Sequence, residues 1–516
     1  MSDERGSPSH RRSRTHRRKR IAPILGILAL LWLALAAWAF SSPVGSSPDD
    51  GYHIAMIYCD AGALECTREG TRVDACYRFD PAIPGSCEAT GALSRPPGTG
   101  VISGWYPPLY YAASSLMVGD TVAQTTIFVR LLNLTLAVAV LAGSVALSRP
   151  SLRGAVALSW LVASVPMGVF VFASINPSAW AVMGIAGFWG PLLSFLTGDG
   201  WTRLSLARLA FVQVTVLMAL GSRSEPPIYI GVTVVALSVF AVGWPLHRTT
   251  AAQLRRLLVP AVLGLQALLA LMVFTPAKQS AERSPDATAA VAPWRVLTES
   301  LGTPSRLLAD PLLGWLDTPV PPLARAAVTG AFVAACLIGL GTLYARKVWA
   351  LVVFGGLTWA FLLYIWATAS SPNRMQPRYF LPLLFVLAGL ALLPRLGLRP
   401  RWPSPVQSLL LALAVALANA LSLLNNLVRY VSGLDLDPAS PASPGGLAAA
   451  GEPSWWWQSL PLSPTAVWWL GSIAFTLAAV AAVLLLPAWS RGDRRPPAVA
   501  PAPRPATAPM PATRPA

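Results

Sequence analysis

Apolar runs of about twenty residues recur from Ile21 to Leu486, separated by short stretches of Arg, Pro, Ser and Gly. A helix needs a run of that length to cross a hydrocarbon core of about 30 Å. In lipid every backbone group must be satisfied internally, which helices achieve without neighbours. The pattern predicts an all-α integral membrane protein with about 12 spans. They fall at 21–41, 121–147, 152–171, 178–197, 205–222, 226–245, 256–275, 322–344, 348–369, 378–394, 405–427 and 465–488.

Charge orients these runs. Seven basic residues between Arg11 and Arg20 precede the first run, which places the N-terminus in the cytoplasm. A cleaved signal peptide is the other reading, since Ala34, Ala36 and Ala37 are small, but the run is long for a signal core. Counting from inside, the cytoplasmic loops carry Arg149 and Arg153, Arg203 and Arg208, Arg248, Arg255 and Arg256, Arg346 and Lys347, then Arg395, Arg399 and Arg401. The outer loop 42–120 instead holds nine acids against four arginines. One missed span would invert every later loop, so the agreement supports the count. It predicts outer loops at 42–120, 276–321 and 428–464, with both termini cytoplasmic in a multi-pass plasma (inner) membrane protein. The domains read as a basic tail over 1–20, a polytopic membrane domain over 21–489 and a disordered Pro/Ala-rich tail over 490–516.

Composition sharpens this picture. The 516 residues are 54% hydrophobic and 12% charged, where soluble proteins carry about 25% charged residues. The net charge of +17 invites a nucleic-acid reading. That reading fails, because the basic residues sit in clusters between spans, where topology requires them. Neither a P-loop nor a glycine-rich nucleotide fingerprint occurs, which argues against chemistry driven by a cytosolic nucleotide.

Candidate chemistry gathers on the outer side. Cys59, Cys66, Cys76 and Cys87 lie in the first outer loop. An even number in an oxidising compartment predicts two disulfides, of three connectivities; a zinc site is the rival, but no C-x₂-C knuckle is present. Asp49 and Asp50 follow the first span in a Ser- and Pro-rich turn, with His53 three residues on. A partly desolvated carboxylate there can act as a general base or hold a divalent cation such as Mg or Mn; a solvated Asp-Asp-Gly turn is the plain alternative. Tyr106 and Tyr110 belong to an aromatic-Pro cluster before the second span, suited to stacking on a sugar or to a membrane-interface belt. Trp455-Trp456-Trp457 suits a helix at headgroup level.

Further polar residues sit at outer span ends: Asn176, Arg223, Glu225, Asp317, Arg374, Arg378 and Tyr379. Two arginines together can hold a phosphate bidentately. Arg130 lies within the second span, so it should face the bundle or a wet cavity unless it snorkels to the outer surface. For Arg223, Glu225 and Asp317 the plain alternative is an ordinary loop charge. Cys336 lies within a span and reads as packing.

Ser-Pro-Asp-Asp-Gly-Tyr-His after the first span, Tyr-Pro-Pro-Leu-Tyr-Tyr before the second, Ile-Asn-Pro-Ser after the third and Gln-Pro-Arg-Tyr-Phe-Leu-Pro at the tenth resemble a family of predicted actinobacterial membrane proteins of unknown function. That family is similar to the GT-C superfamily of polytopic glycosyltransferases, and the resemblance covers roughly 21–430. It implies transfer of a sugar from a polyprenyl-phosphate donor to an envelope glycan, lipid or protein at the outer face. It further implies an acid in the first outer loop as base or metal ligand, here Asp49 or Asp50, and Arg378, with Arg374 or Arg130, at the donor phosphate. Two departures matter. Asp-Asp stands where many members have Asp-Glu, which leaves open which acid is catalytic, and Gln-Pro-Arg stands where Gln-Gly-Arg is commoner. A transporter or flippase of a lipid-linked precursor is one alternative function. It would favour ionisable groups near the midplane and internal repeats, neither of which is seen. A non-catalytic envelope-assembly protein of the same fold is the other.

Overall fold

A computed structural model describes residues 8–62, 75–90, 106–198, 200–243, 251–282, 292–309, 312–368, 376–395, 403–434, 456–457 and 462–490. Cys66, Arg374, Trp455 and the tail beyond Ser490 lie outside the described residues. The helices, in chain order, are α1 (Pro8–Phe40), α2 (Asp50–Asp60), α3 (Leu109–Ser114), α4 (Val122–Leu147), α5 (Pro150–Ala163), α6 (Pro166–Phe172), α7 (Ser178–Leu196), α8 (Arg203–Leu220), α9 (Pro226–Val242), α10 (Ala251–Arg256), α11 (Leu258–Glu282), α12 (Pro293–Ala309), α13 (Pro322–Leu340), α14 (Ala345–Thr368), α15 (Leu381–Ala391), α16 (Pro405–Val431) and α17 (Pro464–Ser490). The two short strands β1 (Leu312–Leu313) and β2 (Thr318–Pro319) pair antiparallel, with Leu312 opposite Pro319.

Among the described residues nine helices are long and apolar enough to cross a membrane, ten if a bent pair counts as one span. All twelve predicted stretches are helical, but three depart from a straight full-length span. The third is the bent pair α5 and α6, which turn by 94°. Pro166 causes the break: it lacks an N–H, clashes with the carbonyl four residues back, and is preorganised for the first position of a new helix. The sixth and tenth stretches are shorter apolar helices, Pro226–Val242 and Arg378–Ala391.

Helix starts follow the local sequence. Capping boxes from Thr121 to Gln124 and from Ser404 to Gln407 open α4 and α16. Proline opens α5, α9 and α13, where a missing N–H costs nothing. The central element is α7, buried along its whole length against α4, α8, α9 and α15. Small residues allow the close approach: a Cβ on Gly184 would lie 2.4 Å from the Thr215 carbonyl of α8.

Three regions expected outside add detail to the sequence reading. The loop at 276–321 contains α12, which leaves Trp294, Leu297 and Leu301 exposed. Its Ser300 and Thr303 accept from Trp359 and Trp366 of α14. Trp456 and Trp457 pack against the bundle. Trp457 donates to the Phe40 carbonyl at 2.9 Å, and Trp456 sits edge-on to Tyr430, because both rings cover the end of α1 and α16. Of the four cysteines in 42–120, Cys76 and Cys87 are joined with Cα atoms 6.1 Å apart and Cys59 is disulfide-bonded as well, as expected; Cys336 of α13 is free.

Candidate functional site

The segment leaving α1 is caged before it reaches the paired acids. Arg130 of α4, 1% exposed, donates to the carbonyls of Ala39, Ser42 and Pro43 at 2.7–2.8 Å and to the Ser46 hydroxyl at 3.0 Å. Asn426 of α16 donates to the Ser41 carbonyl and the Ser42 hydroxyl. Trp315 holds the Gly45 carbonyl, Tyr430 the Ser46 carbonyl and Tyr77 the Val44 carbonyl. The carbonyls of this irregular stretch thus find donors on elements far away in sequence, as buried backbone must.

The two acids then part company. Asp50 is fully buried as the first residue of α2. Its carboxylate accepts from the Ser47 N–H at 3.1 Å and from the Ser47 hydroxyl, and stands 3.7 Å from Arg130. Burial pushes this carboxyl up from 3.8 to about 6, against the pull of Arg130 and Ser47. Asp49 makes no capping bond and takes a left-handed backbone, φ 65° and ψ 11°. Aspartate is among the few residues that tolerate that region. The consequence is a tight corner at which successive side chains diverge. Asn176, predicted to touch substrate, instead fixes this corner: its amide donates to the Pro48 carbonyl at 3.2 Å, and its oxygen caps the Ser178 N–H.

On the Asp49 side lies a second group. His53 is buried, its Nδ1 2.8 Å from the Tyr111 hydroxyl and its Nε2 without a partner. Burial drives its imidazole from 6.5 down to about 3; Asp49 opposes this and Arg223 and Arg378 reinforce it. Aromatic rings link the charges. Tyr106 is 5.2 Å from the His53 ring, and the Arg223 guanidinium is 5.5 Å from Tyr106 and 4.6 Å from Tyr379. Arg378 lies 5.4 Å from the other end of this chain, the Tyr379 ring. Arg223 grips Glu225 with Nε and Nη2 at 3.1 and 3.3 Å, and donates to Ser178 at 3.0 Å. Arg378 is buried, its Nε has no partner, and among the described residues no carboxylate pairs with it. Ser178, Arg223, Glu225, Tyr229, Arg378 and Tyr379 line a cavity of about 10 Å³, room for one water.

The structure therefore brings together Asp49, His53, Tyr106, Arg223, Glu225, Arg378 and Tyr379. It sets apart the remaining candidates. Asp50 and Arg130 serve the caged segment. The Tyr110 hydroxyl accepts from Asn133 at 3.3 Å inside the bundle, edge-on to Trp180. Asp317 accepts from Arg429 at 2.9 Å, beside Tyr77, Trp315 and Tyr430. Arg429 also holds the carbonyls of Ile83, Tyr77 and Asp80, so this pair docks the disulfide-bearing loop onto α16. Arg429, Asn426 and Ser47 were missed from sequence. The signal was present for two of them: Asn426 and Arg429 are polar residues at the end of an apolar run, which rarely occur without a partner.

A divalent cation needs several oxygen ligands. Among the described residues no group of three or more His, Cys, Asp or Glu side chains is placed to hold a metal ion. Asp50 is already spent on Ser47 and Arg130, which leaves Asp49 as a single donor. This donor set does not fit a protein-held cation.

A family model described as predicted membrane protein (DUF2142) matches residues 30–387. Among solved structures, the chain is similar to the crystal structure of ArnT from Cupriavidus metallidurans bound to undecaprenyl phosphate, at 14% identity and a TM-score of 0.39, covering 90% of this chain and 77% of that one. The apo form of the same protein matches over the same shares at 15% identity and a TM-score of 0.37. No curated protein matches this chain in sequence.

Proposed function

The chain belongs to the DUF2142 family of predicted membrane proteins, and for this member we propose glycosyl transfer from a polyprenyl-phosphate-linked sugar to an acceptor hydroxyl of the cell envelope, at the outer face. The observation that carries the reading is Arg378, a buried guanidinium whose Nε has no partner, set beside a second arginine and near a carboxylate that makes no cap. An unpaired buried charge is costly. A donor phosphate supplies the missing anion, and the planar fork suits it.

Asp49 is the base in this scheme and Asp50 is not. Asp50 has its lone pairs committed to Ser47 and its charge to Arg130. Asp49 takes the proton of the acceptor hydroxyl. The acceptor oxygen bonds to the anomeric carbon, the bond from that carbon to the donor phosphate oxygen breaks, and polyprenyl phosphate leaves as an anion held by Arg378 and Arg223. Neutral His53 offers Nε2 as a hydrogen-bonding atom at the same site, since Tyr111 engages Nδ1. The cavity holds one water as it stands, so donor entry requires the Tyr379 ring to give way. No step is routed through a metal.

A reconstituted transfer assay with a polyprenyl-phosphate sugar tests this. Arg378→Ala should weaken donor binding, and Arg378→Lys should restore it only in part. Asp49→Asn should lower turnover with donor binding kept. Wild-type transfer by both Asp49→Asn and Arg378→Ala would overturn the assignment.

A further inference from the structure

A second cavity lies away from this site. It is a groove of about 380 Å³ between α1, α4, α5, α6 and α17. Its walls are mostly Leu, Ile, Val, Ala and Phe, with Trp160 and Ser164, and among the described residues its charged one is Arg153. Arg153 stands at the far end of the bundle from Asp49. α4 passes Arg130 near the caged segment and ends at Leu147; the 18 residues from Arg130 to Ser148 span about 27 Å. At that far end Arg153 donates to the Ser148 and Ala146 carbonyls, and Arg208 donates to the Leu147 carbonyl at 2.7 Å. Arg208 is close enough to Arg149 and Arg153 to feel their charges. Among the described residues no acid lines the groove.

Length decides what fits. Along α5 the groove runs from Arg153 to Ser164, where the 94° bend and Phe172 of α6 close it. Eleven residues of helix are about 16 Å, roughly half of a hydrocarbon core of about 30 Å. That depth suits the chain of a lipid from one leaflet. A polyprenyl donor whose phosphate sits at Arg378 is excluded, because the groove carries its charge at the opposite end. Two turns above Arg153, Trp160 lines the groove with an indole N–H that is buried and has no partner.

We propose that this groove is a binding site for one anionic phospholipid, its phosphate at Arg153 and an acyl chain running toward the bend. The site belongs to the leaflet opposite the transfer site and stands independently of the proposed transfer. Anionic lipid near a basic side chain gains about a fivefold preference per charge, and the buried chain adds affinity without regard to headgroup.

The test uses the full chain in detergent, offered phosphatidylglycerol and phosphatidylcholine in competition, with bound lipid read by native mass spectrometry. Wild type should retain phosphatidylglycerol in preference. Arg153→Ala should reduce that preference about fivefold, and Arg153→Lys, which keeps the charge, should preserve it. Ala142→Phe, which fills the groove, should abolish retention of both lipids. Equal retention of the two lipids by wild type overturns the proposal whatever the variants do. So does an unchanged preference in Arg153→Ala, or displacement of phosphatidylglycerol by polyprenyl phosphate.

Discussion

Asp49 and Asp50 are neighbours in the chain but belong to two regions of opposite character. The region around Asp50 is densely hydrogen-bonded. Arg130 donates to three carbonyls and a hydroxyl, Ser47 gives Asp50 two bonds, and Asn426, Trp315 and Tyr430 close the remaining carbonyls. The region around Asp49 has valences to spare: Asp49 makes no cap, and His53 Nε2 and Arg378 Nε lack partners. Saturated polar groups hold a fold in place. Buried groups left open cost stability, and a protein tolerates that cost where a ligand completes them. The difference teaches that charge and burial alone do not mark a site. Arg130 and Arg378 are both buried arginines with an unpartnered Nε, but Arg130 gives four hydrogen bonds and stands 3.7 Å from a carboxylate, whereas among the described residues Arg378 pairs with no carboxylate.

The largest effect that can break this contrast is on rate. Asp49→Asn should cost about 10²–10⁴-fold in transfer while the apparent Tm stays at the wild-type value. Asp50→Asn should show the reverse emphasis, a lower Tm with donor binding kept in the protein that folds. Equal rate losses with equal Tm losses would merge the two regions.

Next comes stability. Arg130→Ala strands the carbonyls of Ala39, Ser42 and Pro43 and leaves Asp50 without its cation, a loss of about 3–5 kcal/mol that denaturant titration should register. Arg378→Ala breaks no ion pair among the described residues, so the fold should be as stable as wild type or more so. A loss from Arg378→Ala as large as that from Arg130→Ala would show that Arg378 is structural.

The outer loop sits lower on the scale. The Cys76–Cys87 bridge closes a short loop, and such bridges contribute about 2–4 kcal/mol. Cys76→Ser should loosen the loop and weaken its docking through Arg429 and Asp317, read as faster proteolysis within 75–90. Unchanged proteolysis would show that the Arg429 contacts suffice.

The smallest effect is the net pH dependence, because the two regions oppose each other. Folded Asp50 titrates near 6 against 3.8 when unfolded. The folded state therefore binds more protons in that window, and stability falls as pH rises through it. Folded His53 titrates near 3 against 6.5. Here the unfolded state binds more protons, and stability rises with pH from about 3 to 6.5. His53→Gln should leave only the fall and Asp50→Asn only the rise, visible as Tm slopes of opposite sign between pH 4 and 6. Identical slopes in the two variants would contradict the assignment.

Residues 46–53 were legible as a motif, and so were the aromatic cluster around Tyr106 and the arginine at 378, because each pairs turn-forming residues with charge at a span end. The family expected from these motifs matches over residues 30–387. What stayed hidden were the partners. Nothing near Asn176 announces that it holds Pro48, and nothing near Asp317 announces Arg429, 112 residues away. The bend at Pro166 was also masked, since α5 and α6 read as one apolar run.

By itself, the sequence determined that this chain is a helical membrane protein, where its helices begin, and that acids and cysteines collect in one loop. These follow from local rules: apolar length, proline and capping chemistry, and charge beside a span. Only the tertiary structure decided which of two adjacent carboxylates bonds Ser47 beside Arg130, and which partners each buried arginine meets. A hydrogen bond is made across space, and here its two ends lie up to 417 residues apart. Adjacent side chains diverge at a left-handed corner, so a single residue's step along the chain carries Asp49 and Asp50 into different environments.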